Sequence, residues 1–480
     1  MPKLVVLWSD AVVWLSVLLL LAYGWRVHGS ANLRATWLKV LRDPAAACSA
    51  VVLMLFFAVA VVDSVHFRQA LQRAAGASGE QRQAYATRTE SLLDALLATQ
   101  VAGRETSYSA PLAMRAFTKD SVTVNGQIER TYPRLLHGGN RLKSDADRAA
   151  DLALRIAVGL VVGVLVAGLA AMGVALCVGR ASRIEFGAAW RQLRRNDTDL
   201  PLRAVCITVL VLCAVFGPLL ALAQHYHVFG TDRTGNDVFY QALKSIRTAF
   251  VIGTLSTVAT LPLAVGLGIV SGYLRGWVDE VVQYLYTTLS SIPNVLLIAA
   301  CVLMMQVFID THPDLFETGA ERADVRLFLL CVILGLTGWA TLCRLLRAET
   351  MKLSQLEYVQ AATAFGVAPA RIMARHIFPN VVHLIIITTV LDFSALILYE
   401  AVLSYVGVGV DPSMNSFGGM INLARTEMSR DPLVWWSFAA AFTFMVTLVL
   451  AANLFADGVR DAFDPRARAF RPRLRSGAAA

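Results

Sequence analysis

Several common catalytic and cofactor motifs are absent from this sequence. None of its six lysines follows a glycine, so there is no Gly-Lys-Ser/Thr phosphate-binding loop. The His-Glu-x-x-His zinc motif and the Gly-x-Ser-x-Gly nucleophile motif are also missing. The seven cysteines lie within or beside apolar runs and form no Cys-x-x-Cys pair, which argues against a disulfide framework or a zinc site. We therefore expect neither enzymatic activity nor a resident cofactor in this chain.

Charged residues are scarce, and apolar residues dominate. Only 16% of the residues are charged, whereas 56% are hydrophobic, and the mean hydropathy is +0.58. These values indicate an integral membrane protein. The net charge of +9 is spread over short loops and the C-terminal tail. This distribution favours contact with membrane lipid over nucleic-acid binding.

Nine apolar stretches are each about as long as a bilayer-spanning helix. We predict an all-α, polytopic membrane protein with about nine transmembrane helices. Lys3 is the only basic residue before the first apolar stretch, and no small-residue cleavage site follows that stretch. We therefore expect a retained helix and not a signal peptide. The stretches are 8–25, 45–65, 154–178, 203–224, 247–271, 281–308, 327–343, 383–407 and 433–456.

Basic residues predict how these helices are oriented. Arginine and lysine are concentrated in the short segments 26–44 and 179–202 and in the tail 465–480. The positive-inside rule assigns all three to the cytoplasmic side. With nine helices, the N-terminus is then outside and the C-terminus inside. The long segment 66–153 is outside, and we expect it to be mostly helical with a turn at Gly138-Gly139-Asn140.

A polar segment, 357–380, lies between two of the apolar runs. Good helix formers precede Gly366, which permits a left-handed stop, and Pro369 suits the first turn of a second helix. Small side chains at Ala361 and Ala362 leave one helix face open to a partner. The segment is either a docking element or an ordinary amphipathic connector. Its candidate site residues are Glu357, Gln360, Ala361, Ala362, Gly366, Pro369, Arg371, His376 and Pro379.

This segment resembles the EAA loop of bacterial ABC importer permeases. The Ala-Ala pair, the spacing to Gly366 and the run His376-Ile377-Phe378-Pro379-Asn380 match the family pattern, whereas Gln360 and Thr363 replace the usual Glu and Arg. In that family the loop inserts into a groove of a separate ATPase subunit. The resemblance implies that ATP and Mg are bound by partner subunits and not by this chain.

Further motifs resemble the C-type subunits of dipeptide and oligopeptide permeases. They are Phe229 to Val238, Gly272 to Glu280, Glu400 to Gly409 and Asn415 to Gly418. The resemblance implies a type I importer core of six helices at the C-terminal side, in a bacterial cytoplasmic (inner) membrane. It also implies three kinds of partner: a homologous permease subunit, two ATP-binding cassette ATPase subunits and an extracytoplasmic solute-binding protein.

The resemblance suggests a division of the chain into five parts. Two N-terminal transmembrane helices would occupy 1–65, the extracytoplasmic insertion 66–153, a third accessory helix 154–180, the core 181–464 and the basic tail 465–480. In the accessory helix, Gly159 and Gly163 would let a neighbouring helix approach closely.

Polar residues within the spans are candidates for a translocation pathway. A charge at a helix centre costs about 2.5–3.5 kcal/mol on insertion scales, so Asp392 requires a reason. It is either a polar point on the pathway, facing a peptide's amine, or a carboxylate bonded between helices. Glu400 would be a gate or a structural contact. The hydroxyl-rich helix at 281–308 would line the pathway or pack against a neighbour, and Pro293 should kink it. Its candidate residues are Tyr284, Thr287, Ser291 and Asn294.

Other functions are compatible with parts of the sequence. The chain could be a membrane receptor or scaffold that senses through 66–153, or a permease for nickel or another small solute. His225 and His227 could bind a metal, although paired histidines without a third ligand are usually interfacial. An ion-coupled secondary transporter would need inverted repeats, which we do not find.

Overall fold

A computed structural model describes residues 3–70, 85–86, 89–124, 127–142, 144–316 and 318–463. The tail 465–480, predicted to be basic and cytoplasmic, and most of 71–88 lie outside these described ranges. Helices dominate the described residues. In chain order they are α1 (Trp8–Gly29), α2 (Ala31–Arg42), α3 (Pro44–Asp63), α4 (Leu92–Leu96), α5 (Ala98–Ala102), α6 (Arg148–Ser182), α7 (Phe186–Arg195), α8 (Leu202–Ala223), α9 (Val238–Leu274), α10 (Gly276–Ser291), α11 (Asn294–Thr311), α12 (Gly319–Leu353), α13 (Glu357–Ala364), α14 (Pro369–Ile372), α15 (Phe378–Val406), α16 (Phe417–Glu427) and α17 (Trp436–Phe463).

Nine helices in the described ranges are long and apolar enough to cross a membrane, which confirms the predicted number. They are α1, α3, α6, α8, α9, α11, α12, α15 and α17, with α6 and α15 extended by the short turns before them. One predicted span differs. The stretch 281–308 is not a single kinked helix, because α10 ends at Ser291 and α11 begins at Asn294. Ile292 has an extended backbone there, and Pro293 has no N–H to continue the hydrogen-bond pattern.

Glycines bring α6 and α8 into close contact, as the sequence predicted for Gly159 and Gly163. A Cβ atom at Gly159 would lie 2.6 Å from the carbonyl oxygen of Gly217, and one at Gly163 would overlap the carbonyl of Cys213. The two backbones therefore pack directly against each other.

The core is built on α9 and α12, which pack along most of their length. A Cβ at Gly268 would lie 2.9 Å from the carbonyl oxygen of Cys343, and one at Gly272 would lie 2.7 Å from that of Arg347. Cys343 itself is fully buried. Small residues in α9 thus allow α12 to approach closely enough for the two helices to act as one unit.

The insertion contains strands, so the expectation that it is mostly helical is wrong for its described part. An antiparallel sheet joins β1 (Lys3–Val5), β2 (His66–Arg68) and β3 (Glu90–Ser91), and a hairpin joins β4 (Asp120–Val124) to β5 (Gln127–Thr131). In the sequence, Asn125-Gly126 separates the last two strands, a dipeptide typical of two-residue hairpins. The predicted turn at 138–140 is confirmed.

Buried charges join the first helix to the core where α1 and α12 begin. Arg247 of α9 donates from Nη2 to Asp10 Oδ1 over 2.6 Å, and His66 Nδ1 lies 2.8 Å from the other Asp10 oxygen. Asp324 of α12 accepts a hydrogen bond from the Ser9 backbone over 3.1 Å and another from its hydroxyl. These side chains are almost fully buried. Removing one partner would leave an uncompensated buried charge, so the first helix is firmly attached.

A second buried cluster fixes the insertion to the loop before α9. His227 Nδ1 lies 2.7 Å from Asp237 Oδ2, and its Nε2 lies 3.4 Å from Glu105 Oε1. Glu105 also accepts backbone hydrogen bonds from Leu136, His137 and Gly138. Burial opposes charge on His227, but the two carboxylates overcome it and raise the histidine pKa to about 9. The hydrogen bonds lower the pKa of Glu105 to about 2 against the effect of its burial.

Candidate coupling loop and translocation cavity

The polar segment 357–380 folds as a helical hairpin, the geometry expected from its sequence. Helix α13 ends where Gly366 adopts φ of +76°, a conformation that residues with a Cβ rarely adopt. Two backbone hydrogen bonds close the turn, from Gly366 N to Thr363 O and from Val367 N to Ala362 O. Pro369 then opens α14, and a short π-helical turn, Met373–Ile377, leads into α15.

The inner face of this hairpin is buried against the ends of the core helices. Val359, Ile372 and Ile377 are each at most 1% exposed. They belong to one apolar cluster whose other buried members come from α9, α10, α12 and the start of α15. Those members are Ala264, Ile269, Val282, Tyr286, Trp339, Ala340, Leu342, Cys343, Leu346 and Val381. A force applied to the hairpin is therefore transmitted directly to these helices.

An ion pair joins two of the helices beneath the hairpin. Arg347 of α12 donates to both carboxylate oxygens of Asp279 in α10, over 2.5 and 2.7 Å. Gln283 adds a hydrogen bond to the same carboxylate over 3.0 Å. A bidentate arginine–carboxylate contact fixes orientation as well as distance, so α10 and α12 are coupled next to the hairpin.

The outer face of the hairpin is open. Among the predicted site residues, Glu357, Gln360, Ala361, Gly366, Pro369, Arg371 and Pro379 are exposed, whereas Ala362 is half-buried. Phe365, which the sequence analysis did not select, is 87% exposed at the tip. An aromatic ring that exposed, on a hairpin whose other face is buried, is a typical anchor for a partner's pocket.

His376 has a different position from the other candidates. It is half-buried, its ring centroid lies 6.1 Å from that of Tyr358, and its carbonyl accepts a 2.6 Å hydrogen bond from Asn380 Nδ2. The same amide reaches the Tyr358 hydroxyl at 3.2 Å. These contacts hold α13 against the start of α15, so the half-buried His376 and the exposed Asn380 help to position the hairpin.

A cavity of about 720 Å³ lies among α9, α10, α11, α12 and α15. The predicted pathway residues Ser291, Asn294 and Asp392 line it. Most of its other polar lining consists of threonines that the sequence analysis did not select: Thr257, Thr260, Thr337, Thr341, Thr388 and Thr389. The spacing of Thr388, Thr389 and Asp392 on one side of α15 was the available signal.

The structure does not bring three other candidates into the cavity wall. Tyr284 and Thr287 are exposed on the side of α10 away from its buried residues Val282 and Tyr286. Glu400 is 3% exposed and accepts a 2.6 Å hydrogen bond from Ser404. A Cβ at Gly418 in α16 would lie 2.8 Å from Glu400 Oε1. Glu400 therefore lies in the contact between α15 and α16.

Comparison with known proteins supplies the family context. The family described as binding-protein-dependent transport system inner membrane component matches residues 264–469. An oligopeptide transport system permease protein of Mycobacterium tuberculosis (strain CDC 1551 / Oshkosh) is 30% identical over 260 residues, which are 54% of this chain and 83% of the relative. A dipeptide transport system permease protein of Alkalihalophilus pseudofirmus is 27% identical over 292 residues, covering 58% and 89%. An oligopeptide transport system permease protein of Bacillus subtilis is 28% identical over 278 residues, covering 55% and 84%.

Proposed function

This chain belongs to the family of binding-protein-dependent transport system inner membrane components and is a permease subunit of a peptide ABC importer, and we propose that segment 357–380 couples it to a separate ATPase. It is a multi-pass membrane protein with the type I importer permease fold. The proposal concerns how this subunit receives the energy of ATP hydrolysis.

The observation that carries the proposal is the division of the hairpin into two faces. Its outer face presents Ala361 and the exposed ring of Phe365, while its inner face is buried in the ends of α9, α10 and α12. A groove on an ATPase subunit would hold the outer face. Movement of that groove would then displace the core helices through the inner face, because packed interiors transmit strain. ATP and Mg are bound by the ATPase subunits and not by this chain, which has no phosphate-binding loop.

The proposed orientation in the membrane is supported by a basic helix that lies at the same end of the molecule as the hairpin. The amphipathic helix α2 packs through Trp37 and Val40 against the end of α17 and, through the same cluster, against α15 near the hairpin. Helix α2 also carries Arg34, Lys39 and Arg42. The positive-inside rule then favours a cytoplasmic location for the hairpin and the C-terminus, with the N-terminus and residues 66–153 outside a bacterial cytoplasmic membrane.

The importer contains further subunits. A homologous permease subunit completes the translocation path, two ATPase subunits bind the coupling hairpins, and an extracytoplasmic solute-binding protein delivers the peptide. Alternating access moves the peptide through the cavity lined by Asp392, because closure of the ATPases displaces the helices around it.

Ala361→Trp tests the coupling role. Ala361 is exposed, so the indole fits the isolated chain but obstructs the approach of a partner groove to the α13 backbone. We expect peptide uptake and co-purification of the ATPase each to fall by about tenfold, which corresponds to about 1.4 kcal/mol of lost docking free energy.

Ala35→Trp is the matched control, since Ala35 is an exposed helical alanine of α2 at the same end of the molecule. It should retain both uptake and the ATPase. If Ala361→Trp retained ATPase binding and uptake at the level of the control, segment 357–380 would not be the coupling element.

A further inference from the structure

We propose that Asp392 binds the protonated amine of the transported peptide, so that the cavity selects substrates that carry a free ammonium group. This inference rests on the proposed role of the cavity as the translocation path. A charge at this position in an apolar helix is energetically costly. The sequence left open whether Asp392 lies on the pathway or is a carboxylate bonded between helices, and the proposal favours the pathway.

Asp392 has no counter-charge among the described residues. It lies in the apolar helix α15, and among the described residues no basic side chain forms an ion pair with it and no donor hydrogen-bonds to it. By contrast, the carboxylates of Asp10, Asp279 and Asp324 in the same protein are each paired or hydrogen-bonded. Asp392 is exposed in the cavity wall, and a cation that arrives with the substrate would supply the opposite charge that the described residues do not provide.

The rest of the cavity wall carries no competing cation. Its lining residues include no lysine, arginine or histidine, so Asp392 is the single formal charge among them. Arg344 approaches the rim, where its Nη2 lies 3.5 Å from Ser290 Oγ, but its guanidinium lies over the ring of Tyr286 at 5.2 Å. Asp392 thus gives the lining residues a net negative formal charge, which attracts cations and disfavours anions.

Three of the hydroxyl groups in the cavity wall are arranged to accept hydrogen bonds from a ligand. Thr257 donates to Gly253 O over 2.6 Å, and Thr388 donates to Leu384 O over 2.9 Å. Thr337 likewise donates to a carbonyl in its own helix, over 2.9 Å. Because the hydrogens of these three hydroxyl groups are already used, each offers oxygen lone pairs to a ligand. An ammonium group has three donors and no acceptor, so it can donate to these three hydroxyl oxygens and to the Asp392 carboxylate.

Geometry places the acceptors where one ammonium can reach them. Thr388 and Asp392 are four residues apart on α15 and therefore lie one above the other on the same face. The cavity volume of about 720 Å³ lies in the range of about 300–1,000 Å³ typical of small-ligand sites. It is large enough for the end of a peptide whose remainder extends toward the partner permease.

The test measures uptake by the complete importer, with its receptor and ATPase, in proteoliposomes. Three alanine-based tripeptides serve as substrates: one with a free amino terminus, one acetylated, and one acetylated that carries a lysine. Asp392→Asn keeps the shape of the side chain and removes its charge. Co-purification of the ATPase establishes that the variant complex is assembled.

We expect Asp392→Asn to reduce uptake of the free-amine peptide about tenfold relative to wild type, while uptake of the acetylated alanine peptide stays unchanged. Wild type and Asp392→Asn are assayed with the same receptor, so the selectivity of the receptor affects both equally. A matching loss for the acetylated lysine peptide shows that the site accepts a side-chain ammonium, and its absence restricts the site to the amino terminus.

Glu400→Gln is the matched control, because Glu400 is a buried carboxylate of the same helix outside the cavity wall. It should affect all three peptides equally. An equal loss for all three peptides in Asp392→Asn would overturn the proposal and indicate a structural role or a pairing with the second permease. A wild-type importer that moved none of the three would refute the proposed function itself.

Discussion

His227 is the residue that most clearly fixes the insertion to the core. It lies between Asp237, which also caps the start of α9 by accepting from Tyr240 N, and Glu105 of the insertion. Its pKa of about 9 means that the imidazole is protonated at neutral pH. The histidine motif noted in the sequence thus contributes a buried positive charge between two carboxylates.

This charge makes stability depend on pH in a defined direction. The pKa of His227 rises from 6.5 in the unfolded chain to about 9 in the folded protein, so its contribution is complete below pH 6.5 and is lost as pH rises through 9. The shift corresponds to at most about 3 kcal/mol. We expect His227→Gln to lower the melting temperature, with a difference from wild type that is largest near pH 6 and smaller near pH 10.

His312→Gln is a suitable control, since His312 is exposed, and it should leave the melting temperature unchanged at both pH values. A difference between His227→Gln and wild type that stayed constant from pH 6 to pH 10 would contradict a protonated His227.

An individual site residue was predictable from the sequence only when neighbouring residues in the sequence were enough to mark it as unusual. Asp392 stood out because a charge in an apolar run is costly wherever it points. The cavity threonines did not stand out, because a threonine can donate to its own helix and is tolerated on any face of a membrane helix. Glu400 and Asp392 look alike in sequence, and only the packing of α16 against α15 separates their roles.

At the scale of elements, the coupling hairpin was predicted well and the third core span was not. The hairpin depends on neighbouring residues: helix formers, Gly366 at positive φ and Pro369 at a helix start. The break between α10 and α11 depends on whether surrounding helices compensate for Pro293. Pro262 shows the other outcome, because α9 continues through it.

The close contact of α9 with α12 gives a prediction for a single glycine. A valine at Gly272 would place its Cβ 2.7 Å from both the Arg347 carbonyl oxygen and the Thr350 Cβ, so the helices must separate. Overpacking of this kind costs about 1–3 kcal/mol. We expect Gly272→Val to lower the thermal stability of the detergent-purified protein.

Gly266→Val tests the same helix without the contact, since nothing lies within 4 Å of a Cβ there. Its melting temperature should match that of wild type. Equal effects of the two valines would show that helix propensity, and not the packing against α12, determines the outcome.

For the whole molecule, the number of spans and the family core were accessible from the sequence, whereas the attachment of the N-terminal part was not. Hydropathy counts apolar helices directly. The contacts of Asp10, His66, Arg247 and Asp324 join residues from 56 to 315 positions apart, and each of these four looks like an isolated charge near a span end. These contacts make α1 and the first strands of the insertion part of one body with the core.

The proposed orientation can be tested with two cysteine substitutions. Glu129 in β5 and Ala35 in α2 are both exposed, and they lie on segments assigned to opposite sides. In intact spheroplasts, a membrane-impermeant maleimide should label Glu129→Cys strongly and should label Ala35→Cys only after permeabilisation. The parent chain, whose seven cysteines are in or beside apolar runs, gives the background. The opposite labelling pattern would reverse the topology.

The interruption between Ser291 and Asn294 allows α10 to tilt independently of α11. The first turn of this sixteen-residue helix is held by the ion pair of Asp279 with Arg347, Tyr286 is buried farther along it, and its last residue, Ser291, forms part of the cavity wall. At 1.5 Å per residue α10 is about 24 Å long. A small tilt of α10 at the hairpin would therefore displace Ser291 in the cavity wall without requiring α11 to move, because the chain between Ser291 and Asn294 is not helical.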